Sequence, residues 1–298
     1  MKNLLTINIG IPAYNEQKTI TRLVKAIVAQ KNAIYQLDKI IVALDGCTDQ
    51  TETKLRELKL KNLVLIVNKN RQGKATVLDQ IVSKATADAL IVCDADITIK
   101  DTSFIDKLVA PIAAGKADLT TAQVVALKPT NLFTKILDKS TEFKLAMYET
   151  WNTGNNLYTC HGRALCMSRK LYQKIEYKDI IADDAWAYLT AKSLKLPYQY
   201  VQSAKVFYTL PQTVGDHMKQ SMRFYRSQKQ LTKYVSSEVL KQEYTIPRNL
   251  VMKHLVQSVL KHPVSMTAYV GLLSYIKFKT LINPKQKAQW EVATSSKL

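Results

Sequence analysis

Two pairs of aspartates carry the chemistry open to this chain. The first is Asp94 and Asp96, parted by Ala95 and preceded directly by the apolar run Leu90-Ile91-Val92-Cys93. A short apolar run bounded by polar residues reads as a strand buried on both faces. In open α/β sheets, ligands bind just beyond the carboxyl ends of strands. Two carboxylates one residue apart at such an exit can turn toward one hard cation, which then holds a diphosphate. The same spacing also suits an Asx turn or the cap of the next segment. The second pair, Asp183-Asp184, follows Ile180-Ile181-Ala182 and opens a helix through Leu194. Here the residues read either as helix caps, with Asp183 at the N-cap, or as a proton-accepting carboxylate beside a second acid.

The elements that must position these acids follow from periodicity. Residues 4–11 form a first strand ending at Pro12. Ala13-Tyr14-Asn15 make the turn, and Glu16 opens a helix with Ile20, Leu23, Val24 and Ile27 at helical spacing. A second strand spans 39–44 and ends in Asp45-Gly46-Cys47-Thr48-Asp49, where Gly46 permits a tight turn and Thr48 caps the helix through Leu58. A third strand spans 63–67. Asn70-Arg71-Gln72-Gly73-Lys74 and a helix over 75–87 lead into the strand before Asp94. Strand and helix alternate four times, which predicts a mostly parallel sheet flanked by helices. Further on, 104–114 reads as a helix, 118–127 as a strand and 131–151 as a helix. Residues 151–158 form a polar break suited to a mobile lid. Cys160-His161-Gly162-Arg163-Ala164 then leads into a short strand over 165–167, and 198–208 is a last strand.

The chain of 298 residues has ordinary apolar content, so a sizeable core is available. Its charge is unusual: Lys and Arg number 43 against 24 Asp and Glu, a net of +19. Such an excess implies a polyanionic partner, whether nucleic acid, an acidic lipid surface or phosphorylated substrates. Cys47, Cys93, Cys160 and Cys166 show no CxxC pairing, which points to reduced thiols in a cytoplasmic setting and away from a zinc site. The first residues show neither an apolar h-region nor a cleavage site, so no signal peptide is expected. A Rossmann fingerprint is absent, since Ile11-Pro12-Ala13-Tyr14 stands where GxGxxG would. Gly73-Lys74 is followed by Ala75 rather than Ser or Thr, which excludes a P-loop.

Ile11-Pro12-Ala13-Tyr14-Asn15-Glu16, Asp45-Gly46-Cys47-Thr48-Asp49, Asn70-Arg71-Gln72-Gly73-Lys74-Ala75 and Asp94-Ala95-Asp96 together resemble the ordered signatures of family-2 glycosyltransferases. Each sits at the end of an expected strand. The resemblance covers most of residues 4–231. It implies the GT-A fold: a mixed, mostly parallel sheet flanked by helices, here followed by C-terminal basic amphipathic helices. It also implies a nucleotide-diphosphate sugar donor, with a UDP-sugar expected, and Mg²⁺ or Mn²⁺ as cofactor. By the same resemblance Pro12, Ala13, Tyr14 and Glu16 line the nucleoside pocket, and Asp45 faces base or ribose. Arg71 and Lys74 lie near base or phosphate, Asp94 touches ribose or metal, and Asp96 binds metal. The family commonly has two adjacent acids where Leu44-Asp45 stands, so the base preference stays open.

The acceptor side follows in the same way. Gly162 belongs to a turn that shapes the acceptor pocket, and His161 either contacts sugar or phosphate or bonds only backbone. Inverting sugar transfer needs a carboxylate to take the proton of the attacking hydroxyl. Asp183-Asp184 resembles the family's acidic pair, whose second member is that base. This assigns Asp184 as the base beside Trp186, with Asp183 supporting it. Gln220-Ser221-Met222-Arg223-Phe224 resembles the family's Gln-x-x-Arg-Trp signature, with Phe224 in the last place. It implies that Arg223 and Gln220 serve the leaving diphosphate while Phe224 walls an acceptor sugar.

From Lys205 to the end, fifteen Lys and Arg face four Asp and Glu. Leu250, Val251, Leu255, Val256, Val259 and Leu260 recur at helical spacing with basic residues between them. The apolar run over 264–276 is shorter than the ~20 residues of a spanning helix. Basic amphipathic helices of this kind lie in anionic interfaces, or pack as a helical pair on the catalytic domain with their lysines exposed. The expected organisation is therefore a glycosyltransferase domain over 1–235, with a nucleotide half over 1–97 and an acceptor half over 98–235. A membrane-associating segment over 236–298 would hold it on the inner face of the cell membrane. The expected acceptor is a lipid-linked or polymeric saccharide. Two other readings compete: a nucleotidyltransferase, which would need a glycine-rich phosphate loop after the first strand, and a nucleic-acid-binding protein, prompted by the charge. No nucleic-acid motif supports the latter, and nucleic acid is not an expected partner.

Overall fold

The computed structural model describes residues 4–282. In chain order the elements are β1 (Leu5–Ala13), α1 (Ile20–Val28), β2 (Tyr35–Asp45), α2 (Thr51–Glu57), β3 (Leu63–Asn68), α3 (Lys74–Lys84), β4 (Ala89–Cys93), α4 (Phe104–Ala113) and β5 (Leu119–Ala126). There follow α5 (Leu132–Thr150), β6 (Ala164–Ser168), α6 (Arg169–Tyr172), α7 (Asp183–Ser193), β7 (Tyr198–Tyr208), α8 (Val214–Leu231), α9 (Ser237–Tyr244), α10 (Arg248–Lys261) and α11 (Pro263–Ile282). Among the described residues, seven strands form one sheet in the order β3-β2-β1-β4-β6-β5-β7.

β3, β2, β1 and β4 run parallel, as the strand–helix alternation predicts. β6 then enters antiparallel between β4 and β5, which makes the sheet mixed. Every residue of β4 is buried, in keeping with its continuous apolar run at the middle of the sheet. The two sheet faces divide with period two. Ile7, Ile9, Ile11, Ile40, Val42 and Ile91 belong to one core with the apolar stripes of α1 and α4. α3 covers the opposite face, where Gly10 of β1 meets Ile81.

Several local expectations shift. The first helix begins at Ile20 rather than Glu16, because residues 16–19 form a turn in which the amides of Thr19 and Ile20 both donate to the Glu16 carbonyl at 3.0 Å. Thr48 does not cap α2. Its amide donates to Asn15 Oδ1 at 2.8 Å, and Asp49 instead accepts the Thr51 amide at 3.0 Å. The third helix stops at Lys84 rather than Ala87, since Asn8 Oδ1 takes the amides of Thr86 and Ala87 at 2.7 and 3.1 Å.

The described residues divide into two compact units: those up to Val125 with Leu157–Tyr208, and Ala126–Asn156 with 209–282. These cuts fall at other points than the 97 and 235 boundaries expected from motif order, because α5 groups with the later helices. In the second unit α10 and α11 pack on α5. Lys261 Nζ lies 2.6 Å from Glu142, and α11 buries Met266, Tyr269 and Ile276. Asn131 opens α5 with a capping box, and the buried Asn156 amide donates to the carbonyls of Tyr148 and Trp151 at 2.8 Å. No described helix is long and apolar enough to cross a membrane. Residues 283–298 of the expected C-terminal segment lie outside the described residues.

A Cβ added at Gly10 would collide with Ile81 Cγ2. Gly10→Ala is expected to destabilise the fold by about 1–3 kcal/mol through overpacking of α3 on β1, read as a lowered denaturation midpoint with an unchanged urea slope.

Candidate active site

β1, β2 and β4 run parallel and end at Ala13, Asp45 and Cys93. Tyr14, Asp45 and Asp94 therefore leave the sheet at one edge, as the strand-end motifs require. Asp45 is buried and its carboxylate is used by the chain itself. Oδ1 accepts the Gln72 amide at 2.5 Å, and the Gly73 amide lies 3.2 and 3.1 Å from the two oxygens. This ties down the turn before α3 and fixes the loop that carries Arg71 and Lys74. The same loop passes so close to Gly46 that a Cβ there would stand 2.6 Å from the Arg71 amide, at a φ of +67° that also favours glycine. The Arg71 guanidinium lies 4.2 Å over the Tyr14 ring and 3.9 Å from Asp45. Pro12 is half-buried and Ala13 buried. Glu16 is buried too and accepts the Thr19 hydroxyl at 2.7 Å, so it holds the turn together.

Lys74 joins the two aspartate pairs. Its Nζ lies 2.8 Å from Asp94 Oδ1 and 2.9 Å from Asp183 Oδ2. Burial alone would lower its ammonium, but Asp183 and Asp94 outweigh that and hold it above its ordinary value of 10.5. Burial lifts the Asp183 carboxyl above the usual carboxylate range, and Lys74 only partly opposes this. Asp183 is thus a member of the first turn of α7, where Ala182 rather than Asp183 occupies the N-cap position.

Asp184 is half-buried. Its Oδ2 accepts the Gly162 amide at 3.2 Å and its Oδ1 the Ala185 amide at 2.8 Å. Gly162 is small for a reason: an added Cβ would come within 3.0 Å of Asp183 Oδ2 and 3.4 Å of Asp184 Cβ. His161 is held next to Asp184, and burial pushes its imidazole down. The Trp186 indole nitrogen donates to the Glu176 carbonyl at 2.9 Å. Gln220 and Arg223 stand three residues apart on α8 of the second unit, on one helix face, with Arg223 exposed. Phe224 sits 6.1 Å, edge to face, from Tyr244.

Sequence reasoning missed Arg163. Its guanidinium lies 3.6 Å from Asp96 Oδ1 and 4.0 Å over the Tyr208 ring, and its carbonyl accepts the Asp94 amide at 3.0 Å. It reaches the site because β6 pairs antiparallel with β4, which sets Ala164 opposite Cys93. The signal that could have found it is a basic residue just before a short apolar strand. That signal gains meaning only once the pairing is known.

Among the described residues, no group of three or more His, Cys, Asp and Glu is placed to hold a metal. Asp94 and Asp96 supply two hard oxygen donors at one exit. That donor set fits Mg²⁺ or Mn²⁺, which take one or two carboxylates, keep waters and complete their shell from substrate phosphates.

The sequence profile described as glycosyl transferase family 2 matches residues 8–175. The chain belongs to glycosyltransferase family 2. It is 28% identical over 119 residues to glycosyltransferase AglD of Haloferax volcanii, covering 39% of this chain and 19% of that one. It is 27% identical over 111 residues to glucosyl-3-phosphoglycerate synthase of Mycolicibacterium smegmatis, covering 36% of each. To the poly-beta-1,6-N-acetyl-D-glucosamine synthase of Staphylococcus aureus strain COL it is 33% identical over 92 residues, 30% of this chain and 21% of that one. The matched stretch therefore spans well under half the length of each relative. The fold is similar to that of a mannosyltransferase from Pyrobaculum calidifontis solved with GDP-Man and Mn²⁺. The TM-score is 0.61 at 16% identity, over 95% of this chain and 82% of that one. The mixed sheet flanked by helices is thus the GT-A fold that the motifs imply.

In this family-2 chain, Lys74→Met takes the shared cation from buried Asp183 and half-buried Asp94. The expected cost is about 3–5 kcal/mol at neutral pH. Because the unpaired acids are relieved by protonation, the variant should regain stability as pH falls toward the carboxylate range. The wild type should instead lose the Lys74 contribution only as pH rises above about 10.5. Thermal melts across pH check both signs.

Proposed function

We propose that this chain transfers a sugar with inversion from a nucleotide-diphosphate sugar, expected to be UDP-linked, to a lipid-linked or polymeric saccharide. The observation that carries this reading is the double ion pair of Lys74, which ties the nucleotide-side acid Asp94 to the acceptor-side acid Asp183. Tyr14 and Arg71 offer a stacked aromatic–guanidinium surface for a base. Asp184 is the base: one backbone amide on each oxygen fixes its carboxylate, and with the group half-buried a second lone pair on those oxygens serves an acceptor hydroxyl. As that hydroxyl attacks the anomeric carbon, Asp184 takes its proton, and the nucleotide diphosphate departs from the opposite face. A Mg²⁺ or Mn²⁺ ion held by Asp96 and Asp94 would neutralise charge on that diphosphate. The Mn²⁺ and GDP-Man of the Pyrobaculum mannosyltransferase support this reading by analogy. His161, Gly162 and Trp186 are assigned to the acceptor side. Gln220, Arg223 and Phe224 enter the proposal through their motif alone.

Asp184→Asn is expected to lower transfer by about 10²–10⁴-fold and to leave nucleotide-sugar affinity within a factor of a few. Isothermal titration beside a transfer assay separates the two. Retained transfer would remove Asp184 from its role.

The second unit supports a peripheral membrane location on an anionic cytoplasmic leaflet. α10 buries no residue, and Met252, Leu260, Val264 and Phe278 are 56%, 79%, 83% and 61% exposed. Lys253, Lys277 and Lys279 stand exposed among them. Apolar and basic residues mixed on exposed helices suit an anionic interface, where each cation contributes about 1 kcal/mol. The full chain should sediment with vesicles containing phosphatidylglycerol at low salt and not with pure phosphatidylcholine. Absence of sedimentation in both would sink the membrane reading.

A further inference from the structure

Asp94 and Asp96, the two proposed cation ligands, each already face a cation of the chain. Lys74 lies 2.8 Å from Asp94, and Arg163 lies 3.6 Å from Asp96. Arg163 is firmly seated: its ring contact is to Tyr208 at 4.0 Å, and its carbonyl is bonded to the Asp94 amide. Yet its separation from Asp96 exceeds the usual charge-assisted hydrogen-bond length of about 2.7–2.9 Å. The guanidinium therefore neutralises Asp96 without being committed to it. A planar guanidinium has five donors and matches phosphate oxygens in bidentate fashion.

We infer that Arg163 is a positioning residue that makes divalent-metal binding conditional on a nucleotide diphosphate. This rests on the donor reading proposed above. Each of the two carboxylates already faces a cation of the chain, so a bare dication must compete with Lys74 for Asp94 and with Arg163 for Asp96. A diphosphate gives the guanidinium a better partner, which leaves Asp96 to the metal. Metal and nucleotide must then strengthen one another by the same factor.

The test is Mn²⁺ binding to the full chain, followed by loss of the free-ion electron paramagnetic resonance signal, with and without UDP or GDP. In the wild type Mn²⁺ alone should bind weakly. The nucleotide that binds should tighten Mn²⁺ at least about tenfold, within the usual range of coupling between sites. Arg163→Gln should bind Mn²⁺ several-fold more tightly without nucleotide and lose most of the nucleotide-dependent gain. Should the Gln variant not fold, Arg163→Lys decides. Its shorter reach cannot both cover Tyr208 and face Asp96, so nucleotide-free Mn²⁺ binding should rise part-way. If the wild type binds Mn²⁺ tightly without nucleotide, or if the variants keep wild-type affinities in both arms, the role of Arg163 is overturned while the donor site stands. If Mn²⁺ binds in neither arm, or Asp96→Asn changes nothing, the proposed donor site falls as well.

Discussion

A single ammonium group ties together segments more than a hundred residues apart. Lys74 opens α3, Asp94 leaves β4 and Asp183 begins α7, and both carboxylates lie within hydrogen-bond reach of the one Nζ. Buried charges are costly unless paired and bonded. The pairing therefore does more than add stability. It penalises any arrangement in which the three segments separate, because each would leave a charge in a dry place. Positioning Lys74 in turn depends on Asp45, which grips the amides just before it, and on Gly46, which lets the loop come close. A motif that reads as nucleotide-binding thus first serves to seat a lysine.

The antiparallel insertion of β6 supplies the other half of the site. A parallel strand beside β4 would deliver its carboxyl end to the same edge, as β1 does. β6 instead presents its beginning there, and the residues before it, His161, Gly162 and Arg163, arrive against Asp94, Asp183 and Asp184. This is why one small residue is needed at Gly162. The two acids of α7 pack against its backbone, and one of them takes its amide. The acid burial has a consequence at Asp183, whose carboxyl is lifted by burial and restrained by Lys74.

Much of this was legible from local pattern. The four parallel strands announce themselves as apolar runs ending in polar motifs, and β7 matches its predicted span from Tyr198 to Tyr208. Asp94 and Asp96 stand out by residue type and spacing, whereas Lys74 and Asp184 stand out through the resemblance of their motifs to the family. What the pattern did not contain was pairing direction and long-range partner choice. Nothing near Arg163 states that its strand runs against β4, and nothing near Lys74 states that its second partner lies past residue 180. Helix starts failed for a related reason. Thr48 has the right side chain for a cap, but its hydroxyl accepts the Asn15 side-chain amide at 3.1 Å, and Gln50 takes the N-cap position while Asp49 accepts the Thr51 amide. Side chains that satisfy distant backbone leave no trace in a window of ten residues.

The net charge of the chain takes on a different meaning once the site is described. At the exit of β4 the acids outnumber the bases, with Lys74 and Arg163 set against Asp94, Asp96 and Asp183. The net of +19 therefore does not arise there. The surplus sits elsewhere: from Lys205 onward fifteen bases face four acids. Part of it is met by Glu142 of α5, which lies 2.6 Å from Lys261 Nζ and 3.6 Å from His262 Nε2, while the cations of α11 past Ile276 stand exposed among exposed apolar side chains. The proposal of a lipid partner rests on this combination, since a lipid leaflet is both anionic and apolar whereas a nucleic acid is only anionic.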